Sequence, residues 1–456
     1  MEFVIFTVVY AISFIMSRAG LYILSGVLLM AAAVALSIYY YLKYGRRVCP
    51  PAVFSISWIG GVGVSCLKLS YLETDWESLS WIAFYLAYAA FILGYKAVNA
   101  YAGSRNKETV TAVIQKSSES TDIKIAYIML NAIAVISLFS LTAEALILGY
   151  IPLFTTDTPH AYSYFHVSGL HYFTVSCVLL PALGALILRN ELEGRAFSEI
   201  SVLKRADVTI CMGLGLFIPI LLVSRYQLFC GILLAAAVML ISRGARINIR
   251  IGIKQLFAAF AVMIVMIMLY VFITYERAHS IEYLNGIFEM KNKAMPIFIS
   301  QPYIYIANNF DNFNCLVREL EEHTHGLRML FPVFALSGLK FLHPELVAFP
   351  IYVTKEELTT VTLIYDSFYD FGIVGVFVFC FIIAAAAAII ERRALRSNGD
   401  IFAILLYAQI SIYLLLSFFT TWFSNPTTWF YFGITAIGGT LKLFSTRYFY
   451  WETGET

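Results

Sequence analysis

The chain has 456 residues, which at ordinary composition would suggest two or three soluble domains. Hydrophobic residues make up 60%, charged residues 13%, and mean hydropathy is +0.78; a water-soluble surface needs roughly twice that charged fraction, which excludes a soluble enzyme. The net charge of +2 is too small to imply nucleic acid as a partner.

Apolar runs of about 20 residues recur, each long enough to cross a ~30 Å hydrocarbon core. They predict an all-α polytopic membrane protein with twelve spans, at 3–16, 20–42, 52–72, 79–99, 125–149, 170–188, 207–223, 227–242, 256–274, 367–390, 401–421 and 427–446. The first run leads straight into the second, an arrangement that predicts no cleavable signal peptide. Ser17-Arg18 and Ser224-Arg225 read as tight turns. Most of the 31 basic residues follow the even-numbered spans, whereas the opposite short loops hold only Arg18, Lys68 and Arg225. Cationic short loops stay cytoplasmic, so both termini are expected there. Spans one to nine then occupy residues 1–274, with a Ser/Thr/Lys-rich cytoplasmic loop at 100–124 and an external segment at 150–169. Residues 275–366 form a large external loop domain, and 367–456 hold the last three spans.

This topology puts all seven histidines outside: His160, His166 and His171 by the first external segment, and His279, His323, His325 and His343 in the second. Short cytoplasmic loops favour Lys and Arg, which accounts for part of the bias; the other account is that the polar chemistry is external. Cys315 is the one cysteine expected outside, so no external disulfide framework is predicted. Arg225, at the boundary between two spans, needs an anion or a route to water, and a guanidinium is well shaped to clamp a lipid-linked phosphate. The large external segment adds Arg277, Arg318 and Arg328. Residues 303–322 read as an amphipathic helix with Asn308, Asp311, Arg318 and Glu322 near one face, while Ile304, Phe310 and Leu320 suit packing. Tyr162, Tyr164, Tyr303 and Tyr305 are placed for stacking on sugars. His323-Thr324-His325 lacks a third metal ligand. Glu73-Thr74-Asp75 is an acidic pair of the kind that holds a divalent ion; no metal or other cofactor is expected. There is no Walker A sequence, no G-x-S-x-G elbow and no Gly-rich dinucleotide turn. Energy for a synthesis would have to come from an activated external substrate, such as a lipid-diphosphate sugar.

Four stretches together resemble the O-antigen polymerase (Wzy) family of oligosaccharide repeat-unit polymerases. They are Pro50-Pro51-Ala52-Val53-Phe54-Ser55 through Trp58 and Gly60-Gly61-Val62-Gly63 to Leu69-Ser70; Gly149-Tyr150-Ile151-Pro152-Leu153-Phe154 with its tail to Gly169-Leu170-His171-Tyr172; Ser224-Arg225; and Tyr365-Asp366, Phe368-Tyr369-Asp370-Phe371-Gly372 and Gly375. The resemblance implies a metal-independent, GT-C-like glycosyltransferase in a bacterial inner (plasma) membrane, with its active site extracytoplasmic. Its donor and acceptor would both be undecaprenyl-diphosphate-linked glycans, with a chain-length regulator as a protein partner. It implies Arg225 as a diphosphate clamp, with Arg277, Arg318 and Arg328 as further substrate-binding cations. A general base is sought among His325, His323, Asp311 and Asp366. After Ile151-Pro152-Leu153-Phe154, relatives often carry an arginine; this chain reads His160-Ala161-Tyr162, which makes His160 and Tyr162 substrate-binding candidates beside Tyr303. An O-antigen ligase shares the donor and the architecture. A lipid-linked oligosaccharide flippase is the alternative of another class, although transporters place polar groups near the midplane, where these spans carry almost none.

Overall fold

A computed structural model describes residues 2–103, 115–155, 161–191, 201–242, 281–396 and 400–453. Every element described is helical, apart from an isolated β-bridge between Ser70 and Met290. Six helices are long and apolar enough to cross a membrane: Tyr22–Tyr44, Ser78–Tyr101, Asp122–Leu148, Leu170–Glu191, Arg225–Ser242 and Tyr365–Arg396. Large apolar side chains point outward from them; Leu42 is 71% exposed, Phe139 72% and Leu146 80%. In water each would forgo about 1.5–3 kcal/mol of burial, whereas lipid tails solvate them at no such cost. The chain is an all-α membrane protein.

The other expected spans coincide with shorter or less apolar helices, namely Glu2–Arg18, Val202–Leu221, Ile401–Leu415 and Pro426–Thr453. The ninth, 256–274, lies outside the described residues. The third is shorter than expected. Pro50 and Pro51 open it at positions where a missing N–H costs nothing. It widens into a π-turn at Ser55–Ile59, where the Ser55 hydroxyl donates to the Pro51 carbonyl at 2.6 Å, and ends with Gly60–Ser65. The apolar run continues to Leu72, but Lys68 adopts a left-handed backbone (φ 51°) and turns the chain away.

The chain divides into two compact units that interleave in sequence. The first comprises Met1–Asn106, Ser280–Glu391 and Tyr413–Trp429. Its core is a run of aromatic contacts: Trp58 lies 5.5 Å from Phe310, Phe84 5.1 Å from Phe313, and Phe313 5.1 Å from Phe368. Through it runs the Ile297–Glu319 helix, which begins six residues earlier than expected and is not amphipathic. Asn308, Asn309, Asp311, Asn312 and Asn314 are all fully buried. Their amides and carboxylate bind loop backbone that a helix surface would leave to water. Asn312 Nδ2 donates to the Leu358 and Thr360 carbonyls at 2.7 and 2.8 Å, Asn309 Nδ2 donates to the Phe418 carbonyl at 2.8 Å, and Asn314 Oδ1 accepts the Glu77 N–H at 2.8 Å.

The second unit comprises Lys107–His279, Arg392–Ile412 and Phe430–Thr456. Its helices meet at small residues; a Cβ on Gly215 would stand 2.8 Å from the Cys177 carbonyl. Lys442 pairs with both Asp122 and Asp400, at 2.6 and 3.1 Å. All seven cysteines are buried free thiols, Cys315 among them.

Candidate functional site

The first unit brings together four of the residues singled out from sequence: His323, His325, Arg328 and Asp366. They meet where the Tyr365–Arg396 helix begins. That helix is broken at Gly372, whose φ of 59° and ψ of −146° are open only to glycine. The break frees the Tyr369 and Asp370 carbonyls from their usual partners four residues on. The 323–325 segment takes them up. His323 Nδ1 lies 3.0 Å from the Tyr369 carbonyl, Thr324 N–H donates to the same oxygen at 3.4 Å, and His325 N–H donates to the Asp370 carbonyl at 3.2 Å. A carbonyl can only accept, so His323 Nδ1 carries a proton, and the neutral form of the ring has its lone pair on Nε2. A Cβ on Gly372 would come within 3.2 Å of that nitrogen.

Asp370, which sequence reasoning left unassigned, organises the loop. Its buried carboxylate accepts the Thr324 hydroxyl, the Arg328 N–H at 3.2 Å and the Met329 N–H at 2.9 Å. The signal was there: Asp366 and Asp370 are four apart, on one face of a helix start, where the macrodipole favours carboxylates. His325 bends the loop with a φ of 51°, and Gly326 follows at 104°.

Arg328 is held rather than mobile. Its Nε donates to Asp366 Oδ1 at 2.7 Å, and its guanidinium lies 4.5 Å from the Tyr369 ring centre and 5.6 Å from that of Tyr365. The side chain is 15% exposed. Among the described residues its two terminal amino groups have no hydrogen-bond partner. Two terminal amino groups on a fixed, aromatic-walled cation can bind an anion, and the Nε2 of a neutral His323, on the same loop, can accept a proton.

The other candidates lie elsewhere. Asp311 and Tyr303 belong to a buried network at the turn after Ser65. Asp311 pairs with Lys68 at 3.1 Å and accepts Trp76 Nε1–H at 3.0 Å and Thr74 N–H at 3.1 Å. The Lys68 ammonium also sits 4.4 Å from the Trp76 ring centre. Tyr303 donates to Glu73 at 2.7 Å, and Glu73 also accepts Ser70 N–H at 2.7 Å. Burial, reinforced by the Asp311 charge and opposed by Lys68, pushes the Glu73 carboxyl up to about 7. Asp75 instead accepts the Tyr22 hydroxyl at 2.7 Å, so the Glu73–Asp75 pair does not converge on one point. Among the described residues no three His, Cys, Asp or Glu side chains gather as they would round a metal. Asp311 is fully buried and presents no open face to a substrate. Arg318 is exposed and, among the described residues, pairs with its neighbour Glu319 at 3.4 Å.

In the second unit Arg225 opens the Arg225–Ser242 helix and is buried rather than snorkelling. Tyr162 packs on the adjoining Val223 and Leu228. His160 and Arg277 lie outside the described residues. This unit also holds a pair that sequence reasoning passed over. Buried Glu144, in the last turns of Gln115–Leu148, lies 3.1 Å from His171 Nδ1 and accepts the Thr174 hydroxyl at 2.6 Å and Val167 N–H at 3.0 Å. A carboxylate ending one apolar helix and a histidine opening the next were its only trace in the sequence.

Set against protein-family models, curated proteins and solved structures, the chain matches none.

Proposed function

We propose that this protein is a repeat-unit polymerase: a GT-C-like membrane glycosyltransferase of twelve spans that joins undecaprenyl-diphosphate-linked oligosaccharides at the external face of a bacterial plasma membrane. The observation that carries this reading is Arg328, locked by Asp366 and two tyrosines at the start of a membrane-length helix, with two donors left over. A diphosphate on a lipid is an anion at the depth of a span's end, and sugars stack on tyrosine rings.

The acceptor hydroxyl attacks the anomeric carbon of the donor, forming the new C–O bond as the bond to the diphosphate oxygen breaks. The hydroxyl proton passes to His323 Nε2. The diphosphate leaves with the bonding electrons, and Arg328 neutralises the growing charge. Arg225 remains the second candidate clamp.

The test is to delete the gene in its host, complement with wild type, Arg328→Ala, His323→Gln or Arg225→Ala, and size the surface glycan on a gel. Loss of the ladder to a single repeat unit, unrestored by Arg328→Ala at normal expression, is the expected result. Long polymer stranded on its lipid carrier would make the protein a ligase. Repeat units trapped on the cytoplasmic side would make it a transporter.

A further inference from the structure

Within the first unit, the Glu2–Arg18 and Ser78–Gly103 helices leave a groove between them with a cavity volume of about 320 Å³. Its walls are two matched stripes at helical spacing, Tyr10, Ala11 and Phe14 facing Trp81, Ile82 and Tyr85. The walls are rigid: Trp81 meets Tyr10 and Phe14 edge-on, each at 5.5 Å. Their polar atoms are already spent inward. Tyr10 donates to the Trp81 carbonyl at 2.7 Å, and Thr7 and Tyr85 close the far end by pairing their hydroxyls at 2.9 Å. The groove therefore offers only apolar surface.

At its open end stands Arg18, which donates to Ser78 at 2.9 Å and lies 5.5 Å from the centre of the Phe14 ring. Both partners line the groove. No carboxylate among the described residues pairs with this guanidinium; Asp75 is taken by Tyr22, and Glu77 does not reach it. A cation without a counter-ion, at the rim of a dry aromatic slot between two apolar helices, has the polarity of one lipid: an anionic head with an apolar tail. From Thr7 to Phe14 the slot is about 10 Å deep. That fits the upper part of an acyl chain within one leaflet of a ~30 Å core and is too short to hold an extended polyprenyl tail.

We infer that this groove binds an anionic phospholipid of the bilayer, its phosphate on Arg18 and one acyl chain lying along the groove over Tyr10 and Trp81. The site is separate from the Arg328 cluster and goes beyond the proposed reaction.

The experiment is native mass spectrometry of the delipidated full chain in detergent. It is mixed with equal phosphatidylglycerol and phosphatidylcholine of the same acyl chains, and in a second sample with undecaprenyl phosphate added to that mixture. Wild type is expected to retain phosphatidylglycerol about five-fold over phosphatidylcholine, the share one surface cation contributes to anionic-lipid binding. Arg18→Gln should bring that ratio to about one while leaving total retention. Ala11→Trp should fill the slot and lower retention of both lipids. Ile5→Trp, on the opposite face of the same helix, should change nothing. If Ala11→Trp misfolds, Ile82→Trp fills the slot from the other wall. Equal retention of the two glycerolipids by wild type, undiminished retention by the filled variants, or displacement of phosphatidylglycerol by undecaprenyl phosphate would each overturn the assignment.

Discussion

Asp370 shows how much one carboxylate can decide. Three donors from the 324–329 loop converge on it, and a hydrogen bond inside a protein contributes about 1 kcal/mol net to stability. Asp370→Ala is expected to lower the stability of the purified protein by about 3 kcal/mol, read by thermal unfolding in detergent. Thr324→Val removes only one of the three and should cost about 1 kcal/mol. Gly372→Ala acts on the same loop from the other side. It forces a side chain into a positive φ and toward His323 Nε2, so the variant should lose the glycan ladder while its apolar spans still insert. A ladder left intact by Gly372→Ala would remove His323 from the reaction.

At the scale of the element, close packing depends on glycines whose neighbours are backbone. Gly26 in Tyr22–Tyr44 and Gly63 in Gly60–Ser65 face each other; a Cβ on Gly63 would lie 2.9 Å from the Gly26 carbonyl, and one on Gly26 would lie 2.6 Å from the Gly63 carbonyl. Helices in lipid gain association energy from such contact, because tails are as apolar as the side chains they would replace. Gly63→Ala is expected to destabilise by about 1–3 kcal/mol through overpacking. Gly60→Ala, three residues away, would meet only the Ala33 methyl at 3.7 Å and should stabilise by about 0.5 kcal/mol. The same melting measurement separates them, and equal effects would argue against this crossing. The helix at 297–319 teaches the opposite lesson. Its run of Asn and Asp reads as a solvated face, since polar residues at helical spacing ordinarily meet water. It is buried because loops distant in sequence bring the matching N–H and carbonyl groups.

For the molecule as a whole, Glu73 sets a pH dependence. Burial lets it hold its proton more tightly when folded, up to about 7 against its ordinary 4.5. Its contribution to stability is then fully present below about pH 4.5 and is lost as pH rises through about 7. Melting in detergent across that range should show the decline, and Glu73→Gln should flatten it; an unchanged slope in the variant would assign the effect to another group.

The sequence by itself determined that this is a helical membrane protein. It also located most of the helices, because hydropathy and length are local properties that lipid reads directly. His323, His325 and Arg328 were legible as candidates from their chemistry alone, and Asp366 through the resemblance. Tertiary structure decided which candidates meet. Asp311 and Tyr303 went to a buried scaffold with Lys68 and Glu73, while Asp370 and Gly372, quoted from sequence without a role, joined the Arg328 cluster. The reason is physical: a buried polar group must find its partner, and that partner comes from segments tens to hundreds of residues away, over which no local pattern runs.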